Sequence, residues 1–396
     1  MLYYWFYEPD KIRIKLNEKY RLFLINKLKK LGGPHSLSRK IECSPATICN
    51  YFKGYGLSIG FLKKILDILQ IPYEEVEPFI TEISWIKNPK LPFNLKSREA
   101  ATLSAAILGD GSNTTRVMYK NTRQELIKKV EDATKKIFGN IALDHRISED
   151  NINYIVFPRI VGRALTFMGI PYGNKINRNI GIPKIIKNGS KEVQKEFLQQ
   201  FFDDEGGVET DYRKIFLSQG TNCTKQLGNF YNRMTFKKDY YKRDISSKLL
   251  RNLETPKIIV DIKSILLNSF NIESIIRFKR IRRYNNHATS LWELEIGRKN
   301  DIEKFHKNID FYSRDKKKNL EFMVNRSYKM PWNIYNMIIN ESIKITQYQN
   351  FFKPSNISKN LNLPHGPVNK RIKFLKKIGV YSKNKDGLYS VNIKVK

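Results

Sequence analysis

Cysteine and histidine are scarce: 396 residues carry three of the first and five of the second. Cys43, Cys49 and Cys223 make no pair of pairs, which excludes a disulfide framework and fits incidental thiols in a reducing compartment. The histidines are scattered without an H-x-x-x-H or H-N-H cluster, so a histidine-held metal is not expected. No stretch approaches the roughly 18 apolar residues of a membrane span. The aromatic opening Tyr3, Tyr4, Trp5, Phe6, Tyr7 lacks the basic segment and cleavage site of a secretory signal. A cytoplasmic protein without a membrane partner is the expectation. Acid is also short: 38 Asp and Glu stand against 72 Lys and Arg, a formal charge of +34. A field of that size favours a polyanionic partner, because neutralised phosphates release their condensed counterions.

Three regions separate along the chain. In the first, "KYRLFLINKLKKLGG" (Lys19 to Gly33) has the 3.6-residue period of an amphipathic helix and stops at a glycine pair. "SLSRKIE" (Ser36 to Glu42) is a second short helix. "CSPATICNYFKG" starts a third, with Ser44 as N-cap and Pro45 at the first helical position. "GFLKKILDIL" (Gly60 to Leu69) is a fourth. Two short helices joined by a tight turn, packed by Leu37, Ile41, Ile48 and Tyr51, resemble the helix-turn-helix domain of phage-repressor type. That resemblance places the third helix in a major groove, with Thr47, Asn50 and Lys53 as contacts.

From about Pro331 the chain carries twelve Lys or Arg against Glu341 and Asp386. It reads as helix, turn, helix, then a hairpin turning at Asp386-Gly387, with Tyr389, Val391 and Ile393 alternating onto one face. This is similar to a winged helix, with Asn369, Lys370, Lys373, Lys376 and Lys377 along its second helix.

The central region runs a similar programme twice. "LSAAILGDGS" (Leu103 to Ser112) and "FLQQFFDDEGGV" (Phe197 to Val208) each end a helix-forming run on a carboxylate followed by glycine. Gly111 and Gly206 stand where a helix end tolerates left-handed geometry, which puts Asp110 and Glu205 in a last turn where the helix dipole disfavours an anion. An unfavourable choice made twice points to function. A divalent cation between two convergent helix ends turns the penalty into binding, since Mg²⁺ takes a few carboxylates plus water and phosphate oxygens. Ala105 and Gly109, four apart with Ala106 beside them, allow close approach of a partner helix carrying Leu198, Phe201 and Phe202. Residues from about Thr221 to Leu250 break the repeat and read as an insertion.

With "LSAAILGDG" and "LQQFFDDEG" at this separation, the central region resembles a single-chain, two-motif LAGLIDADG homing endonuclease. The resemblance implies an α+β fold. Two pseudo-symmetric αββαββα halves pack through the motif helices, flanked by an all-α helix-turn-helix domain and a C-terminal winged-helix domain. The implied boundaries are 1–96, 97–183, 184–328 and 329–396. It also implies a monomer that cuts both strands of double-stranded DNA at a specific site, using Mg²⁺ (or Mn²⁺) held by Asp110 and Glu205.

The family places a basic residue near the metals, for which Lys299 is the candidate, with Arg159 behind it. Strand residues Arg116, Lys120, Arg213 and Lys214 are expected to reach bases. Arg277, Lys279, Arg280, Arg282 and Arg283 of "IIRFKRIRRY" are expected to hold phosphates. The plain alternative for that strand is a charged edge that discourages aggregation.

Leu108, Gln200 and Asp204 depart from the motif, the last two at positions where it carries small residues. Two other functions compete: a non-cleaving DNA-binding regulator on the same scaffold, and an RNA maturase. A self-splicing intein is not expected, as the chain opens with Met and ends "VNIKVK".

Overall fold

The structure is a computed structural model that describes residues 1–7, 12–175, 177–325 and 333–392. Its centre is a pair of helices, Arg98–Leu108 and Lys191–Glu205, packed side by side. Each starts at a serine N-cap, with Ser97 accepting from the Ala100 amide and Ser190 from the Val193 amide. Every residue from Ala100 to Leu108 is buried, as are Leu198, Phe201 and Phe202 opposite. Gly109, just past the first helix, packs against Asp204 of the second. A Cβ there would lie 2.9 Å from Asp204 Cβ and 3.2 Å from the Ala105 carbonyl, so the small-residue stripe permits this approach. Gly109→Ala is expected to cost about 1–3 kcal/mol through overpacking, read from the denaturant midpoint; an unchanged midpoint would mean the helices part freely.

Each helix leads into an antiparallel sheet. In the first half, the strands are Gly111–Asn113, Val117–Asn121, Asp144–Ile147 and Asn153–Phe157. They pair so that Val117–Asn121 and Asn153–Phe157 lie inside, with helices Gln124–Phe138 and Arg159–Met168 completing the αββαββα order. In the second half, Gly206–Glu209, Lys214–Asn222, Ala288–Ile296, Ile275–Arg283 and Asp239–Tyr240 follow one another across the sheet. Helices Lys257–Phe270, Lys299–Asn308 and Arg314–Asn325 belong to this half. The break in the repeat is an insertion with its own small core, formed by Cys223, Leu227, Met234, Ile245 and Leu253 against Ile281 and Ala288. The molecule is thus mixed α+β with antiparallel sheets, as expected.

Two expectations need correction. The N-terminal region is not all-α. Strands Arg13–Leu16, Leu57–Ser58, Ile80–Ile83 and Ile86–Pro89 join Gly139–Ile141 of the first half in one five-stranded sheet. One apolar core runs unbroken from Leu2 to Met323. These strands are two to four residues long, too short for an alternating pattern to show in sequence.

Gly111 and Gly206 are not left-handed: neither is among the positive-φ glycines, and Gly206 has φ −107°. Crowding requires glycine instead. A Cβ on Gly111 would meet Ile107 Cα at 2.6 Å and the Met118 carbonyl at 2.9 Å; on Gly206 it would meet the Phe202 and Phe216 carbonyls at 2.8 Å. The first helix also ends at Leu108, leaving Asp110 two residues past it, while Glu205 is the last helical residue.

The described C-terminal residues form helices Ile334–Gln349, Pro354–Asn360 and His365–Lys377, then a hairpin of Tyr381–Lys383 and Tyr389–Val391. They enclose a separate core that includes Ile338, Phe352, Ile357, Val368 and Ile372. The 328/329 boundary and Ile393 fall outside the described residues.

Candidate functional site

The C-terminal ends of the two motif helices meet, and the acids meet with them. Asp110 is in contact with solvent yet ringed by protein, and burial pushes its carboxyl above the usual range, with Lys175, Lys316, Arg123 and Asn121 pulling it back. Burial also raises the Glu205 carboxyl, and the charge of Asp110 adds to that rise. Lys175, the Gln219 side chain and Lys316 oppose it.

Each acid has an amide partner on a strand of its own half. Asn121 Nδ2 donates to Asp110 Oδ2 at 3.0 Å, and the Gln219 side chain lies beside Glu205 and pulls its carboxyl back. A cleft of about 400 Å³ opens beside Glu205, lined by Lys175, Arg178, Gln219 and Thr221. A larger one of about 680 Å³ lies between Phe6 and the Arg159–Met168 helix, and none of the described residues lining it is acidic. Arg159 faces that second cleft and does not line the one beside Glu205.

Two lysines not foreseen from the sequence complete the site. Lys175 Nζ donates to the carbonyls of Ile107 (3.2 Å), Leu108 (2.9 Å) and Gly109. Lys316 Nζ donates to those of Phe202 (3.2 Å), Asp203 (2.5 Å) and Gly206 (2.7 Å). An α-helix leaves its last four carbonyls without internal partners, and here one ammonium gathers three at each motif end. The same charge offsets the negative end of each helix dipole, which is what lets an acid stand there. Burial lowers both ammonium pKa values. For Lys175, Glu205, Asp110 and Asp204 oppose the fall; for Lys316, Arg123 adds to it and Asp203 and Asp204 oppose it.

Lys175 follows the last helix of the first half and Lys316 the Lys299–Asn308 helix of the second. Lys299 itself sits at the exposed start of that helix, 3.6 Å from Glu303. Asp203, wholly buried, anchors the loop before Lys316: it accepts from the Tyr312 and Ser313 amides (2.8 and 3.1 Å) and the Ser313 hydroxyl (2.6 Å).

The expected DNA contacts divide sharply. Thr47, Asn50 and Lys53 are exposed, although Thr47 Oγ1 bonds the Ser44 hydroxyl at 2.8 Å. Lys370, Lys373, Lys376 and Lys377 are exposed and have no ion-pair partner among the described residues; Asn369 is half-buried. Arg116 is exposed, and Lys120 lies 3.7 Å from Asp150.

The basic strand behaves otherwise. Arg277 binds Glu295 (2.8 Å), Lys279 binds Glu293 (2.9 Å), and Arg280 and Arg282 share Asp239 (3.1 and 2.6 Å). Arg283 donates to the Met234 carbonyl (2.6 Å). Lys214 lies among Glu293 (2.7 Å), Glu209 and Glu295, and Arg213 reaches back to the Met323 carbonyl (3.0 Å). Arg213 and Lys214, expected to reach bases, are held by these internal partners in this structure. Ala288–Ile296 pairs along one side of the basic strand, while on its other side Asp239–Tyr240 covers only Ile281 and Arg282.

No protein-family model matches the chain, and no curated protein matches it. Solved structures resembling it include the homing endonuclease I-DmoI in complex with DNA and Mn, at 12% identity and TM-score 0.33, covering 56% of this chain and 99% of that one. Full-length DUF199/WhiA from Thermatoga maritima resembles it at 12% identity and TM-score 0.34, covering 73% and 93%. The N-terminal LAGLIDADG domain of DUF199/WhiA gives 11% and 0.27, covering 62% and 90%. Among the described residues no helix is long and apolar enough to cross a membrane.

Proposed function

We propose that this chain is a site-specific, Mg²⁺-dependent endonuclease of the LAGLIDADG type that makes double-strand breaks in DNA. The observation that carries the reading is the doubled site. Two helix ends meet, each presents one acid with a strand amide beside it, and each helix end is neutralised by one lysine. A protein that only bound DNA would gain nothing from two carboxylates placed toward phosphates.

The donor set suits a hard cation. No cluster of three or more His, Cys, Asp or Glu able to hold a metal occurs among the described residues. Mg²⁺ typically takes one or two carboxylates and completes its shell with water and substrate phosphate oxygens. Asp110 and Glu205 would hold it, and bound Mg²⁺ would supply Lewis-acid stabilisation of the phosphoryl group and a more acidic water. Asn121 and Gln219 keep the two carboxylates oriented, while Lys175 and Lys316 hold positive charge beside them. One acid per half serves one strand each.

Residues 1–96 and 329–396 fit helix-turn-helix and winged-helix DNA-binding units that lengthen the contacted site. The exposed, unpaired lysines of His365–Lys377 make the C-terminal unit a phosphate-binding surface. The same observation favours a second reading, a non-cleaving regulator whose binding lies mainly in those flanking units.

A randomised double-stranded DNA library incubated with Mg²⁺ separates the two. Discrete cuts are expected; selective binding without cutting in Mg²⁺ or Mn²⁺ would favour the regulator. The raised carboxyl groups of Asp110 and Glu205 add a pH test. Only the ionised forms bind metal, so protons compete at a higher pH than they do for ordinary carboxylates. The Mg²⁺ concentration for half-maximal cleavage is therefore expected to climb as pH falls, starting above the usual carboxylate range. A midpoint independent of pH would count against these acids as the ligands.

A further inference from the structure

Two residues that depart from the motif stand together. Gln200 and Asp204 lie one turn apart on the second motif helix, Gln200 wholly buried. Gln200 Nε2 donates to the Tyr119 hydroxyl at 3.1 Å and to both Asp204 carboxylate oxygens at 3.2 Å. The Tyr119 hydroxyl donates to Asp204 Oδ1 at 2.7 Å. Asn121 Nδ2 donates to that oxygen at 3.2 Å. Tyr119 and Asn121 belong to a first-half strand, so this buried network crosses the interface between halves. The same Asn121 nitrogen holds Asp110 Oδ2. An amide nitrogen has two hydrogens; Asn121 Nδ2 has Asp110 Oδ2 on one side and, on the other, Asp204 Oδ1 and the Tyr119 hydroxyl bound to it (both 3.2 Å), while Asn121 Oδ1 accepts from the Arg123 amide at 2.9 Å.

The arrangement is one-sided. The motif position matching Asp204 in the first half is Gly109, which has no side chain and gives Asp204 its space. Among the described residues no first-half side chain holds Gln219, the amide beside Glu205, as Asp204 holds Asn121.

We propose that Asp204 is a positioning residue for Asp110. Acting through Asn121, with Gln200 and Tyr119 fixing its own orientation, it sets the first-half carboxylate for metal, so the two strands depend on it unequally. This rests on the nuclease reading. Groups that orient a metal ligand typically contribute about 10–100-fold in affinity or activity.

Asp204→Asn keeps the volume but removes two of the four oxygen lone-pair sites; Tyr119→Phe removes one hydroxyl and guards against a folding failure of the first variant. Both are read by strand-resolved nicking of an end-labelled target and by calorimetric titration with Mn²⁺, with Asp110→Asn and Glu205→Gln as references. Each variant is expected to slow cutting of one strand by roughly tenfold or more, leaving the other within about twofold. Mn²⁺ binding lost in Asp110→Asn is expected to weaken by a similar factor, while that lost in Glu205→Gln stays. Equal slowing of both strands, or unchanged Mn²⁺ affinity, would overturn the proposal. Selective weakening of Mn²⁺ in a wild type that cuts neither strand would uphold the positioning role and defeat the nuclease reading. A wild type that neither cuts nor takes up Mn²⁺ would defeat both.

Discussion

Asp110→Asn and Glu205→Gln are each expected to lower double-strand cleavage by on the order of a thousandfold, about 4 kcal/mol of transition-state stabilisation, while DNA binding stays within a few-fold. The substitutions are isosteric, so the packing of Gly109 against Asp204 and of Gly111 against Ile107 is kept. What disappears is the charge that holds a divalent cation. Each variant also removes a negative group from a surface meant to meet phosphates, so affinity for DNA is expected to hold or rise slightly. Plasmid linearisation alongside fluorescence anisotropy on the same target reads both quantities. If both variants cut as well as the parent, the acids are not the metal ligands. A parallel loss of binding would place the effect in the fold. The two losses of double-strand cleavage should not add, because a double-strand break needs both strands cut and is lost once either acid is gone.

The helix ends were legible because their signal is local: a helix-forming run, then an acid and a glycine, twice over, with small residues spaced four apart in the first. The N-cap Ser44 with Pro45 after it, the insertion after Thr221 and the hairpin at Asp386-Gly387 were readable for the same reason. Lys175 and Lys316 were not. They act on carbonyls 66 to 68 and 110 to 114 residues away, and nothing beside either lysine marks it among 72 Lys and Arg. Lys299 was favoured for following a strand end, a local cue that places a residue along the chain but not across the interface. The basic strand misled in a related way. Composition counts charges and not their partners, and Glu293, Glu295 and Asp239 sit on neighbouring strands that only the register brings alongside Arg277, Lys279 and Arg282. Gln200 and Asp204 each looked like a defect in the motif. Together with Tyr119 they form a hydrogen-bonded set, so the departures compensate one another.

The two lysine caps should separate stability from function. Lys316 is 9% exposed, and Lys316→Met replaces it with an apolar chain of similar length that cannot donate. The carbonyls of Asp203 and Gly206 then lose that donor in a place water hardly reaches, while Phe202 keeps the Gly206 amide. A buried polar group left unsatisfied costs about 1–3 kcal/mol, so a total of roughly 3 kcal/mol or more is expected, lowering the melting temperature by several degrees. Lys175 is only half-buried, so water can replace its donations to Ile107, Leu108 and Gly109, and Lys175→Met should cost less stability. Its effect falls on the acids. Lys175 is the strongest influence holding down the carboxyl of Asp110, and likewise that of Glu205. Without it both move further up, and more Mg²⁺ is needed at a given pH because protons compete over a wider range. Thermal unfolding and Mg²⁺-dependent cleavage, measured on both variants, should rank them in opposite order. Equal effects on both measurements would mean that the lysines are interchangeable caps and that only the helix ends need them.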